Sequence, residues 1–434
     1  MYMLHIFEFD NRIISQNVIA NIMKKEDNII RISFLGDLMC TIPMTQKAER
    51  KTGYDFKPVF ENIKDSLINS DYVVGNLETP LAGADCLYTF HPTEFNTPDE
   101  FALAAYEVGI KMFTTANNHS LDRGLYGLKR TLTVLDQIGV EHVGTQLRAD
   151  MDRTFYKTIG GIKCAFISYT YDTNSPWMNN KLKEEDLYHI NLFKEQENFP
   201  KGGEGYEGPV FRRVLRSIVP DLIKDIIRDK SKVDCGELND VASSRNKRYE
   251  DSLFADIKRA KHKSDYVFVC LHIGGQYNNK IGAYTGKIVN KCKEAGAHYV
   301  ICNHPHCVLP ISLDGNSNLV AYALGNFCYT PNWGYYVDGK YSEYSIVLHL
   351  LFSTETKKIC DIRFSILKSV DNKINTQVYN IYDLYRSETN NRTLKKNEKE
   401  FSSVLYRFLK SHVGKIEIKE EYSIYEFMNK FSCD

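Results

Sequence analysis

No window of this sequence approaches ~18 uninterrupted apolar residues, so a membrane-crossing helix is not expected. Cysteine occurs eleven times but never as Cys-x-x-Cys. That excludes an evident zinc ribbon or disulfide framework and leaves small core residues in a reducing compartment. Neither sign of charge is in excess: Lys plus Arg and Asp plus Glu number 55 each. With no long basic run, general binding to nucleic acid or to an anionic membrane is not expected. The first ten residues carry acids within an apolar stretch and lack a basic segment followed by a cleavage site. No signal peptide is read, and the cytoplasm is the expected location.

What remains is an ordinary globular composition, 43% hydrophobic and 25% charged over 434 residues. That suffices for two or three average domains, or for one large layered domain with insertions and a tail. Residues 1–28 read as a packing segment with a helix-like stretch at Val18 to Lys25. From 29 to 380, strands and helices alternate. Ile29 to Leu35 leads into Gly36 and Asp37, and Tyr72 to Val74 into Asn76 and Glu78. Lys111 to Thr115 leads into Asn117, Asn118, His119 and Asp122, and Tyr266 to Leu271 into His272 and Gln276. Val300 to Cys302 leads into His304-Pro305-His306, and Val320 to Leu324 into Asn326. Polar residues gathered where strands end are the signature of an α/β domain with its site at the sheet's carboxyl edge.

Between about 172 and 250 the pattern loosens into an insertion. The glycine-rich run 201–209 reads as a solvent loop, since no Gly-Lys-Ser/Thr follows it. Arg212, Arg213 and Arg216 read as a solvated helix face, and Val219 to Ile227 repeats at helical spacing. Beyond 381 the chain reads as a helical tail, with Phe401, Val404, Leu405, Phe408 and Leu409 on one face and Ser423 with Glu426 as a cap for a further helix. The tail is expected to dock on the body, on a partner, or on a second copy.

Each strand-end residue has an ordinary explanation. Asp37 and Glu78 suit caps, Asn118 suits a left-handed turn, and a lone His-x-His suits a turn that binds nothing. Together, Asp37, Glu78, Asn118, His119, His272, His304 and His306 are the mixture of carboxylate, amide and imidazole that suits two divalent ions such as Mn, Fe or Zn, one carboxylate bridging them. In an extended backbone, His304 and His306 would point the same way. Two such ions would activate water near neutral pH. Asp122, three residues after His119, has the spacing to orient that ring. Asn76, Asn117, Gln276 and Asn326 are candidates for substrate contact.

These motifs, in this order, resemble the CapA family of poly-gamma-glutamate capsule biosynthesis, itself similar to calcineurin-like metallophosphoesterases. They are Gly36-Asp37, Asn76-Leu77-Glu78, Ala116-Asn117-Asn118-His119 with Asp122 and Gly124, Leu271-His272 with Gly274 and Tyr277, His304-Pro305-His306, and Leu324-Gly325-Asn326-Phe327. The resemblance implies a four-layer α/β/β/α sandwich with a two-metal centre held by Asp37, Glu78, Asn118, His272, His304 and His306, and His119 as the catalytic imidazole. Met39, Ile273, Gln276 and Asn303 stand where the family patterns have His, Trp, Glu and Gly. Three readings follow: a metal-dependent hydrolase of a phosphoester or related bond, a protein that makes or processes an anionic polymer such as poly-gamma-glutamate, and a binding protein on a degenerate metal site. The expected partner is thus an anionic substrate, small or polymeric.

Overall fold

Strand residues in this chain alternate between two apolar environments, and that alternation sets the architecture. A computed structural model describes residues 28–91, 93–198, 245–331, 339–410 and 416–428. The expected helix at Val18 to Lys25, the loop 201–209, the three arginines after it and the helical repeat 219–227 lie outside the described residues. In β7 (Tyr266–His272), Phe268 and Cys270 join one core cluster while Val267, Val269 and Leu271 join another. β8 (Tyr299–Asn303) divides likewise, with Tyr299 and Ile301 against Val300 and Cys302. Both strands are buried on two faces, which is why they read as continuous apolar runs.

Two mixed sheets result. The larger takes the order β14-β13-β12-β1-β2-β3-β4, with β11 also pairing with β1 and β15 with β13. These are β1 (Ile29–Leu38), β2 (Tyr72–Leu77), β3 (Met112–Thr114), β4 (Glu141–Val143), β11 (Asn326–Cys328), β12 (Tyr344–Ser353), β13 (Ile359–Asp371), β14 (Thr376–Asn380) and β15 (Tyr422–Ser423). The smaller takes the order β5-β6-β7-β8-β10-β9, with β5 (Thr154–Ile159), β6 (Ile162–Thr170), β9 (Val308–Leu313) and β10 (Leu319–Leu324). In each sheet the central strands run parallel: β1 with β2, β3 and β4, and β6 with β7, β8 and β10.

The sheets share a core in which Phe34 of β1 meets Phe166 of β6 and Phe268 of β7, their ring centroids 6.5 and 5.4 Å away. Each buried aromatic of this kind contributes about 1.5–3 kcal/mol. Leu35, Val73, Leu77 and Phe113 face the opposite way and pack with helices α1 (Ile42–Ala48) and α2 (Asp99–Glu107). α3 (Gly124–Ile138) sets Val134 and Leu135 in that cluster and Leu128 and Leu132 in a neighbouring one. On the smaller sheet, α4 (Lys247–Lys263) and α5 (Ala283–Ala295) cover the corresponding face through Leu253, Ile257, Ile288 and Val289.

The carboxyl-terminal helix α6 (Asn391–Leu409) docks on the body. Phe401, Val404, Leu405, Phe408 and Leu409 are all buried in the core the two sheets share. The apolar face that the sequence offered to a partner is therefore covered by this chain itself. The segment after it is not wholly helical: β15 pairs with β13, opposite Arg363 and Phe364. Asn390 caps α6, its side chain accepting from the N–H groups of Arg392 and Thr393.

Candidate metal centre

Parallel strands in both sheets end at the same place, and their last residues meet there. Asp37 is the penultimate residue of β1, Glu78 follows β2, and Asn118 and His119 lie in the turn after β3. His272 ends β7, and His304 and His306 follow β8. All are buried. β1 reaches this point only because residue 36 is glycine, since a Cβ there would lie 1.9 Å from the Gly325 carbonyl oxygen. The Asp37 N–H donates to the same oxygen at 2.9 Å, which fixes the end of the strand.

Two clusters of potential ligands form. Glu78, His272 and His304 each offer a ligand atom within 4.8 Å of the others, and so do Asp37, Glu78 and His306. Glu78 belongs to both. Its Oε1 lies 3.3 Å from His272 Nε2 and 3.8 Å from His306 Nε2. The Asn118 amide oxygen stands 2.8 Å from His272 Nε2, which places it beside the first cluster.

The expectation that His304 and His306 share one direction on extended backbone is corrected. Their φ angles are +106° and +54°, the left-handed side that non-glycine residues rarely adopt. Their ring planes are inclined at 60°. The bend at Pro305 sends His304 to one cluster and His306 to the other. Neighbouring bonds hold the bend: the His304 N–H donates to Asp37 Oδ2 at 3.2 Å, and the Tyr277 N–H donates to the Pro305 carbonyl at 2.8 Å. Backbone strain of this kind costs about 1–3 kcal/mol per residue and persists where the surroundings over-determine it.

The charges are set by burial and by one another. Burial, aided by the Asp37 charge, pushes the Glu78 carboxyl up to about 8. Burial pushes the His272 ring down to about 3 and holds His304 well below the usual histidine range. Burial opposes the charged form of His306 too, but the Glu78 and Asp37 carboxylates outweigh it and raise the ring to about 9. For Asp37, the bond to His306 and the nearby His272 overcome burial and lower the carboxyl. Both Glu78 oxygens and His304 Nδ1 are buried without a hydrogen-bond partner. Uncompensated carboxylate oxygens are costly to bury, and lone pairs converging on common points fit divalent cations, which the donor set of carboxylate and imidazole suits.

Around the clusters, the remaining sequence candidates take distinct places. His119 Nδ1 lies 2.7 Å from Asp122 Oδ2, and its ring meets Phe95 edge-on. The Phe95 N–H also donates to that carboxylate oxygen at 2.6 Å. Asn76 Nδ2 donates to Asp37 Oδ1 at 2.7 Å, while its oxygen accepts from Thr114 at 3.0 Å. Asn117 donates to the Leu77 carbonyl and accepts the His119 N–H. Asn326 Oδ1 faces His306 Nδ1 at 2.9 Å. Gln276 is half-buried on the turn beyond His272. Met39 packs in a small cluster with Phe95 and Tyr329.

Sequence reasoning missed Tyr171 and Asn174. The Tyr171 hydroxyl lies 3.1 Å from His304 Nε2, with its ring 4.8 Å from that imidazole. Asn174 Oδ1 accepts from Asn118 Nδ2 at 3.2 Å, which turns the Asn118 oxygen toward His272. Tyr171 directly follows β6, so the strand-end rule that found the other residues reaches it as well.

Fold and site together define a two-sheet α/β protein with a buried candidate centre for divalent metal. The profile of the bacterial capsule synthesis protein PGA_cap family matches residues 31–330, and the chain belongs to that family. The Bacillus anthracis capsule biosynthesis protein CapA is 22% identical over 320 residues, covering 73% of this chain and 63% of that protein. The Bacillus subtilis PGA biosynthesis protein CapA is 22% identical over 310 residues, covering 71% and 65%. The chain thus spans somewhat less than two thirds of these relatives. A phosphatase from Mycoplasma pneumoniae aligns at a TM-score of 0.37 and 11% identity over 80% of this chain and 96% of that one. Among the described residues no helix is long and apolar enough to cross a membrane.

Proposed function

We propose that this chain is a metal-dependent hydrolase acting on a phosphoester or related bond. The observation that carries the reading is Glu78, a carboxylate shared by both ligand clusters whose two oxygens are buried without a hydrogen-bond partner. Asp37, Glu78, His272, His304 and His306, with the Asn118 oxygen alongside, would hold divalent ions, and the chemistry those ions would supply is Lewis-acid activation of water and neutralisation of charge developing on an oxyanion.

The chain's own residues do the rest. To act as the acid, the His119 ring carries a proton on each nitrogen: Nδ1–H donates to Asp122, which orients the ring, and Nε2–H is left for the substrate. As water bonds to phosphorus and releases a proton to solvent, the bond to the leaving oxygen breaks, the Nε2 proton passes to that oxygen, and solvent returns a proton to the ring. The amides of Asn76, Asn117 and Asn326 are engaged by protein groups, which supports positioning roles. Family membership favours a second reading, in which the same centre processes an anionic polymer such as poly-gamma-glutamate.

Metal-loaded protein assayed on a panel of phosphoesters and on γ-glutamyl amides separates the two readings. His119→Ala is expected to lower kcat by about 10²–10⁴ with metal content unchanged. Undiminished turnover in that variant overturns the assignment of His119. Stoichiometric metal without turnover on either panel returns the chain to a binding role.

A further inference from the structure

A depression of about 690 Å³ opens at the edge of the smaller sheet away from the metal centre. It is lined by the start of β7 and β8, the end of α4, the β9–β10 turn and the β12–β13 turn. β7 runs from Tyr266 here to His272 at the metal centre, six residue steps or roughly 20 Å. Lys261, Lys357, Lys358 and Asp265 are the charged residues of the lining. Asp265 is already engaged, its Oδ2 accepting the Lys163 N–H at 2.8 Å.

The hydrogen bonding in this depression is unbalanced. His298 Nδ1 accepts the Val267 N–H at 3.0 Å, which leaves the ring's proton on Nε2. His298 Nε2 lies 2.6 Å from Lys261 Nζ. An ammonium has three donors and no acceptor, so two donors confront each other and the acceptor that would separate them is not supplied by either. Burial, with the Lys261 charge second, lowers the His298 ring to about 4, which keeps it the neutral, Nε2-protonated species at neutral pH.

We propose that Lys261 Nζ and His298 Nε2 form the floor of an oxyanion-binding site, for a carboxylate or phosphate group, separate from the metal centre. An oxyanion accepts from both donors at once, parting the two groups, and Lys357 and Lys358 at the rim add attraction for multiply charged ligands. The site takes no part in the chemistry at Glu78, so it stands or falls independently of the hydrolase reading.

The test uses full-length, metal-loaded protein labelled with ¹⁵N on histidine, His298 being assigned by a His298→Gln variant. Inorganic phosphate and citrate are titrated separately at constant ionic strength. The expected result is a protonated His298 Nε2 whose signal shifts saturably with one or both probes, and binding weakened about tenfold in Lys261→Met. Saturation by phosphate alone assigns the site to phosphate-bearing ligands, and saturation by citrate alone to polycarboxylates. An unprotonated Nε2, no saturable shift with either probe, or equal binding by Lys261→Met overturns the proposal.

Discussion

Glu78 concentrates the chemistry of this molecule in one side chain, because both ligand clusters contain it and both its oxygens are buried without a hydrogen-bond partner. Glu78→Met, which keeps length but removes both oxygens, is expected to abolish stoichiometric metal. It is also expected to leave the metal-stripped protein as stable as the parent or more so, since an unsatisfied buried polar group costs about 1–3 kcal/mol. Elemental analysis and thermal melts after chelation check the two halves. Tyr171→Phe keeps the ring against His304 and loses only the hydroxyl, so a modest loss of metal affinity with an unchanged melting curve is expected in a metal titration. The six ligand candidates were legible because each is a polar residue placed where an apolar strand stops. The positive φ at His304 and His306 was not, because only contacts with Asp37 and Tyr277, distant in sequence, impose it.

Helix α6 shows how an element's context decides its role. Its apolar stripe at Phe401, Val404, Leu405, Phe408 and Leu409 was plain at helical spacing, but the surface it covers was not, since those contacts come from both sheets. Phe408→Ala is expected to destabilise the fold by about 3–5 kcal/mol in denaturant unfolding. The helix also carries Glu400, which accepts from Lys368 at 2.7 Å and from the Tyr344 hydroxyl at 2.8 Å. Burial raises this carboxyl, but the bond to Lys368 and its charge outweigh burial and hold it below the ordinary 4.5. The folded chain therefore binds that proton less tightly than the unfolded chain does. The pair's contribution is present above the ordinary value and is lost as pH falls through the folded one. Urea midpoints measured downward from pH 6 should fall less steeply in Lys368→Met than in the parent. Among the strands, the buried parallel ones were readable as apolar runs, whereas β9 was not. Pro310 interrupts that run, and the run is a strand only because it lies at the sheet's edge, where a missing N–H is tolerated.

At the scale of the whole molecule, two sheets put the carboxyl ends of their parallel strands against each other, and residues from Asp37 to His306 meet in two adjoining buried clusters. No single strand contains the site, so the sequence displayed its parts and the packing of the sheets assembled them. Metal that binds only the folded chain adds RT ln(1 + [M]/Kd) to its stability, so chelation should lower the melting temperature of the parent and leave Glu78→Met unmoved. The most direct measurement is the metal content of the purified, Mn-, Fe- or Zn-supplemented full-length protein by elemental analysis, alongside Glu78→Met. About two ions per chain in the parent and none in the variant are expected for two clusters that share one carboxylate. A parent chain without bound metal, or a variant that retains the parent's full complement, would contradict the centre proposed.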